Sequence, residues 1–338
     1  MAKLKTIIGL RGERYLQRHT GRDQQYASGD KNGQNLDNNE VLNSLDLFPS
    51  VNLIYEITSN QNLRAAYAKT IARPSFKELS FAQILDPLSN TIFNGGLYKY
   101  GDWDGQLTET YINNYDLRWE LFFEQGQNVS ASIFYKQFDN PIELVRIPEQ
   151  QTSTEYQPRN VGDAVLWGIE FEFNQNLNFV SPLLKHLNVN GNITLVDSDV
   201  DMTTAEYNSR KSYEKTGEEI KDTRQMAGQS PYVINAGLVY GNADTGLDAG
   251  LFYNVKGPTL LIVGAGLFPD IYQESFHSLN LSINKKFGEE KRTSVDFKVS
   301  NILNQENLNY YDSYKAEKQT YSRLNPGRSF SIGLSHKF

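Results

Sequence analysis

The sequence predicts an all-β protein, an antiparallel transmembrane β-barrel, and three observations carry that prediction. Alternation of apolar and polar residues recurs about twelve times along the chain, as in strands with one greasy and one wet face. The connections between these segments alternate between short turns and long polar stretches. The last segment sets Phe330, Ile332, Leu334, His336 and Phe338 against Ser329, Ser331, Gly333, Ser335 and Lys337, and the sequence ends on that aromatic.

The first strand is expected over residues 3–15, with Leu4, Thr6, Ile8 and Leu10 on one face. The stretch to residue 43 is rich in Asp, Asn, Gly and Gln and reads as a mobile loop. Val51, Leu53, Tyr55 and Ile57 mark the second strand, and Thr58-Ser59-Asn60-Gln61 turns it into a third with Leu63, Ala65 and Tyr67. A long connection from Arg73 to Gln106 leads to the clearest strand of all. There Tyr111, Tyr115, Leu117, Trp119, Leu121 and Phe123 oppose Asn114, Asp116, Arg118 and Glu120. Glu124-Gln125-Gly126-Gln127 then turns into Val129, Ala131, Ile133 and Tyr135.

The sixth strand opposes Trp167, Ile169, Phe171 and Phe173 to Gly168, Glu170, Glu172 and Asn174, and the seventh Leu187, Val189, Ile193 and Leu195 to asparagines. Tyr232 to Tyr240, Leu247 to Val255, Leu279 to Phe287 and Val295 to Val299 continue the alternation before the terminal strand. Long connections follow odd strands and short ones follow even strands. An up-and-down barrel with short periplasmic turns and one functional outer rim requires that asymmetry. Tyrosines and phenylalanines at strand ends fit an aromatic girdle at the membrane interfaces.

Composition is consistent with this class. The chain has 338 residues, 20 Tyr and 18 Phe, and no Cys. No apolar run is long enough for a transmembrane helix; the longest, residues 260–268, carries two glycines. A mean hydropathy of -0.54 is compatible with a barrel whose lumen and loops are wet. The net charge of -7 argues against a nucleic-acid partner. Met1-Ala2-Lys3-Leu4 enters a strand directly, so a signal peptide is expected to have been removed or to lie in a preceding segment.

Several stretches, in order, resemble the C-terminal part of the barrel of TonB-dependent outer-membrane receptors, in the form common in Bacteroidetes. They are Asn62-Leu63-Arg64-Ala65-Ala66-Tyr67 running into Thr70-Ile71-Ala72-Arg73-Pro74-Ser75-Phe76, then Asn114-Tyr115-Asp116-Leu117-Arg118-Trp119-Glu120 and Gly168-Ile169-Glu170-Phe171-Glu172. Gly228-Gln229-Ser230-Pro231-Tyr232, Ser300-Asn301-Ile302-Leu303-Asn304 and Pro326-Gly327-Arg328-Ser329-Phe330 complete the set. The family barrel has about 22 strands around a plug, so the resemblance implies that residues 1–338 are its C-terminal twelve strands. The plug, the segment that contacts the energy-transducing partner and the first barrel strands would then lie outside this chain.

The resemblance also implies an outer-membrane location and ligand binding with energised import of a small molecule, glycan or peptide. Its partners would be membrane lipid, a TonB-type protein and the barrel-assembly machinery, the last reading Phe330, Ile332, Leu334 and Phe338 as an assembly signal. A self-contained twelve-stranded passive porin and a soluble all-β binding protein are the alternatives.

No enzyme is expected, and no cofactor or metal. The four histidines share no metal-ligand spacing, and neither a G-x-S-x-G elbow nor a phosphate-cradling loop occurs. Asp197-Ser198-Asp199-Val200-Asp201 resembles the start of a calcium loop, but Met202 stands where glycine is needed and Asn208 where glutamate is needed. Arg64, Asp116, Arg118, Glu120, Glu170 and Glu172 fall on the lumen face and are candidates to line a path or to pair with one another. Phe76, Phe81, Phe93, Tyr98, Tyr100 and Trp103 are the candidate ligand-binding aromatics of an outer loop, able to stack on sugar rings or aromatic chelators. The charged stretch from Glu206 to Arg224 reads as a solvated loop.

Overall fold

A computed structural model describes residues 3–87, 91–101, 103–147 and 154–338. Twelve long strands pair antiparallel, each with its neighbours in sequence, into one up-and-down sheet. They are β1 (Leu4–Arg22), β2 (Asn35–Thr58), β3 (Gln61–Ala72), β4 (Thr110–Phe122), β5 (Asn128–Asp139) and β6 (Ala164–Asn176). The second half comprises β7 (Leu187–Asp201), β8 (Tyr232–Asn242), β9 (Leu247–Lys256), β10 (Phe276–Phe287), β11 (Thr293–Ser300) and β12 (Ser329–His336). The sheet is open: among the described residues β1 pairs only with β2, and β12 only with β11.

Register fixes which side chains share a face, because a slip of one residue would turn every side chain over. One row runs Thr6, Leu53, Ala65, Leu117, Ile133, Ile169, Leu195 and Tyr232 across eight strands. These side chains face outward and many are exposed, Ile133 at 53% and Ile169 at 48%. In water such a band would be a severe liability; against hydrocarbon it is the required surface. Two residues further up, Tyr67, Tyr115, Tyr135 and Trp167 stand side by side on adjacent strands. The Tyr67–Tyr115 and Tyr115–Tyr135 ring centroids are 5.1 and 6.2 Å apart. This is an aromatic belt of the expected kind, facing the long-loop end.

The short connections are residues 59–60, 123–127, 177–186, 243–246 and 288–292, all at one end. The long ones, at the other end, are 73–109, 140–163, 202–231, 257–275 and 301–328, together with the tip at 23–34. That tip corrects one expectation. Residues 16–43 are not a mobile loop: β1 and β2 stay paired as far as Arg22 and Asn35, in an extended hairpin beyond the membrane. Asp23 closes the tip by accepting from the backbone N–H groups of Tyr26 and Gln34, at 2.7 and 2.8 Å. Most of its residues are polar because they are exposed and not because the backbone is irregular, while Leu42 packs against Leu79, Leu97 and Leu107.

The long connections also carry two small sheets that local patterning does not announce. Gln83–Asp86, Thr91–Asn94, Thr154–Asn160 and Ile142–Arg146 form one, with a parallel pairing between Thr91–Asn94 and Thr154–Asn160. Thr259–Ile262, Asp270–Gln273, Asn307–Asp312 and Gln319–Leu324 form the other. Most of the buried hydrophobic core lies here: Leu79, Leu97 and Leu107 in one cluster, Val145, Val200, Leu260 and Val263 in another, and Tyr156, Ile262 and Ile271 in a third.

The two faces of the sheet should tolerate charge differently. Ile169→Arg or Ile193→Arg puts a guanidinium in hydrocarbon and should cost about 2–4 kcal/mol. Asn192→Arg, on the inward face, should lose no more than its bond from Asn235, about 1 kcal/mol. Heat-modifiable mobility of the three variants in membranes checks this; equal assembly defects from both faces would refute the membrane orientation.

Candidate functional site

The inward face of β3 to β6 is a ladder of charges. Neighbouring strands lie about 4.8 Å apart, so long inward side chains reach across one another. Arg64 Nε donates to Glu120 Oε2 at 2.6 Å, and Arg118 Nε to Glu120 Oε1 at 3.1 Å. Arg118 Nη2 then donates to Glu172 Oε2 at 2.7 Å, and the hydroxyls of Ser130 and Ser132 complete the chain. Glu120, with its two oxygens each held by a guanidinium, is buried. Asp116 and Glu170 lie on the same face, Asp116 exposed and Glu170 half-buried. Further round, Asn254 donates to Asn235 and Asn235 to Asn192, so uncharged amides replace the ion pairs on β7 to β9.

The rim aromatics are placed differently from one another. Phe76 is exposed, at 77%. Tyr98 is buried, donates to the Phe81 carbonyl at 2.8 Å and packs edge-on to the Phe81 ring at 5.5 Å. Trp103 Nε1 donates to the Gly96 carbonyl at 2.8 Å, and its ring packs with Phe81 over Leu79, Leu97 and Leu107. Phe93 lies 5.5 Å from the Tyr156 ring in a separate cluster. The Tyr100 hydroxyl sits 3.4 Å from Glu155, and burial, together with that carboxylate, pushes its pKa up to about 12. Of these six, only Phe76 is therefore exposed; burial in a loop core accounts for Tyr98, and Phe81, Phe93, Tyr100 and Trp103 are half-buried.

The stretch from Glu206 to Arg224 is corrected in part: most of residues 211–222 are exposed, as expected of a solvated loop, but the side chains of Glu206, Arg210 and Arg224 are largely buried. It begins as a helix, Thr204–Lys211, capped by the Thr203 hydroxyl, which accepts from Glu206 N at 3.2 Å. It carries the middle of a buried chain of alternating charge. Glu143 holds Arg224 at 2.6 Å, Arg224 holds Glu206 at 2.6 Å, Glu206 holds Arg210 at 3.1 Å and Arg210 holds Asp270 at 2.7 Å. The side chains of Arg224 and Glu143 are only 6% and 2% exposed. Burial works against both guanidiniums, but the carboxylates around them outweigh it and raise their pKa values. The chain ties three long connections together, and backbone groups reinforce it: Ala227 N donates to Glu143 and Gly264 N to Asp270.

Beside this chain lies a cavity of about 170 Å³ at the loop end of the sheet. Trp103, Arg146, Arg159, Asn160, Glu206 and Val263 contribute to its lining. The Arg146 guanidinium stacks 3.2 Å from the centre of the Phe268 ring, and that of Arg159 lies 5.6 Å from Trp103. None of the histidines enters it, and no cluster of three metal-ligating side chains occurs among the described residues. Asp197, Asp199 and Asp201 alternate along β7 as exposed residues. Arg146 and Arg159 were not legible as site residues, because the hairpin that brings them together, Ile142–Arg146 with Thr154–Asn160, is not announced by local patterning.

Phe330, Ile332 and Leu334 face outward on β12, exposed at 66, 79 and 76%, with Phe338 beyond the strand end.

Residues 2–302 match the family described as TonB dependent receptor-like, beta-barrel. No curated protein matches the chain in sequence. Among solved structures, an unliganded ferric citrate transporter superposes with a TM-score of 0.62 at 13% identity, over 99% of this chain and 43% of its own. The copper transporter OprC gives 0.63 at 15% identity, over 99% of this chain and 46% of its own. The ferric yersiniabactin uptake receptor of Yersinia pestis gives 0.57 at 15% identity, over 99% and 43%. This chain therefore spans less than half the length of the structures it matches.

Arg224→Ala should leave Glu143 buried without its guanidinium, at a cost of about 3–5 kcal/mol. Because the loss falls in the loops, we expect faster protease cleavage within residues 202–231 while the heat shift of the barrel is unchanged. Replacing Arg224 and Glu143 together by leucine should be milder than Arg224→Ala alone; the reverse order would show that the buried charges do not govern loop order.

Proposed function

Since the chain belongs to the TonB-dependent receptor β-barrel family, we propose that it is the C-terminal twelve strands of an outer-membrane importer. The receptor captures a ligand at the loop end and passes it through a plugged lumen. A TonB-type partner supplies the energy through a region N-terminal to this chain. The mechanism is binding and gated passage, with no covalent chemistry.

The observation that carries this reading is the ordered loop end. A passive pore needs only an open mouth, whereas here three connections are stitched by buried charge around a cavity with two guanidiniums on its wall. Arginine in a partly apolar wall binds carboxylate, catecholate or phosphate oxygens by paired hydrogen bonds. We assign the ligand to an anionic small molecule, such as a metal chelate, with Arg146 and Arg159 receiving its oxygens. Trp103, in the same wall, provides the adjacent aromatic surface. The structural neighbours, transporters of ferric citrate and copper and a receptor for ferric yersiniabactin, support the chelate over a glycan or peptide. The Arg64–Glu120–Arg118–Glu172 ladder lines the passage below.

In the full-length receptor, Arg159→Ala should weaken capture of the transported chelate about 10- to 100-fold, the loss of one charge-assisted hydrogen bond of about 1.5–3 kcal/mol. Titration of whole cells with labelled chelate checks this. Undiminished binding with the barrel folded would move the ligand to other loops.

The isolated chain should not transport. The unpaired backbone groups of β1 and β12 cost several kcal/mol each in lipid, so the chain expressed behind a signal peptide should aggregate, exchange strands or require its missing half. A stable heat-shifting monomer with a steady single-channel conductance would instead establish a complete twelve-stranded porin.

A further inference from the structure

One of the five short turns is unlike the rest. Residues 59–60, 123–127, 243–246 and 288–292 are dominated by Ser, Asn, Gln, Gly, Asp, Thr and charged residues. Residues 177–186, between β6 and β7, read Leu-Asn-Phe-Val-Ser-Pro-Leu-Leu-Lys-His, with no acid among them. Phe179, Val180 and Leu183 are exposed at 76, 63 and 91%, and neither of the turn's two short helices buries a residue. The apolar side chains therefore do not form a core of their own.

The turn is nevertheless built rather than loose. Its two 3₁₀ turns, Leu177–Phe179 and Pro182–Leu184, are capped by the side chains of Asn176 and Ser181. Val180 N reaches the Leu177 carbonyl at 3.0 Å, Leu184 N the Ser181 carbonyl at 2.9 Å and Lys185 N the Pro182 carbonyl at 3.4 Å. Backbone groups satisfied within the segment are what hydrocarbon demands of any chain that touches it. Towards the lumen the turn is closed by amides: Asn176 Nδ2 donates to the Lys185 carbonyl at 2.9 Å and to Asn188 at 3.1 Å. On the outward side His186 stands edge-on to Tyr240, 6.0 Å away, and Tyr240 is in register with Leu187 in the lipid-facing set. The apolar belt thus continues down the outer wall into this turn.

We propose that residues 177–186 are a membrane-interface anchor, with Phe179, Val180 and Leu183 inserted among the lipids at the short-turn end and Lys185 and His186 facing phospholipid headgroups. The lipid surface is the occupant chosen, because the turn adjoins the lipid-facing wall and its only ionisable groups are basic. Aromatic and aliphatic tips beside cations are the composition of segments that lie in the interface. The anchor would hold the barrel at a fixed depth and tilt mainly from one side, because the other four turns together carry one large apolar residue, Phe123.

The proposal rests on the membrane orientation of the sheet, and the test separates the two. The chain itself has no cysteine, so single spin labels can be placed at Leu183→Cys, Glu289→Cys and Ile169→Cys in the full-length receptor, with any cysteine outside residues 1–338 replaced by serine. The receptor is reconstituted in vesicles of phosphatidylethanolamine and phosphatidylglycerol, and collision with oxygen and with a water-soluble nickel chelate is measured. We expect the label at 183 to collide with the nickel chelate several-fold less than the label at 289 and to approach the oxygen preference of the label at 169. A label at 183 as open to nickel as that at 289 overturns the anchor. A label at 183 shielded from both reagents also overturns it, in favour of a protein contact. Nickel access at 169 would instead refute the membrane orientation itself.

Discussion

The constraint on which this structure depends is that hydrocarbon accepts no unpaired backbone N–H or C=O. Each interior strand from β2 to β11 meets it by laddering with both neighbours, in registers that run for eight residues or more on almost every pair. Once register is fixed, the choice of side chains follows. Residues of one parity must be compatible with lipid, as in the row from Leu53 to Leu195. Residues of the other parity are freed from that requirement and can carry charge. Arg118 and Trp119 are neighbours in sequence and live in opposite solvents.

That division explains what the lumen can hold. A lone charge there would still be partly desolvated by its neighbours, so Arg64, Glu120, Arg118 and Glu172 alternate in sign along one chain of contacts, although Arg64 and Arg118 stand in register on adjacent strands, and they share their hydrogen bonds. Glu120 serves both Arg64 and Arg118, and Glu172 continues the series. Such pairs add little net stability when water reaches them. Their effect is a wall that is polar yet has its charges committed to one another.

The twelve strands were legible because their signal is local: alternation needs only residues two apart, and Trp167, Ile169, Phe171 and Phe173 declare it without help from elsewhere. The turn side was legible for the same reason. The loop end was not. Arg224 finds Glu143 and Arg210 finds Asp270 across separations that no periodicity records, and a run such as Glu206 to Arg224 looks solvated until its partners are known. The parallel pairing of Thr91–Asn94 with Thr154–Asn160 is equally non-local. Among the candidate aromatics, sequence could show that Tyr98 and Phe76 share one loop but not that one is buried and the other exposed. Exposure there is decided by Leu79, Leu97 and Leu107, which give that loop a core.

The contrast between the two ends bears on how import and stability coexist. Across the span, order is enforced by the solvent, since melting a strand would expose its backbone to lipid. At the loop end water offers backbone groups an alternative, and order must come from specific contacts. The buried alternating chain from Glu143 to Asp270 supplies them, and its character matters: removing one member strands a charge, so its members are kept or lost together. A rim held in this way behaves as one piece across three connections and not as three independent flaps. The connection at 73–109 is joined to that piece as well, since Thr91–Asn94 pairs in parallel with Thr154–Asn160 and the buried Gln157 amide donates to the Gly95 and Tyr98 carbonyls.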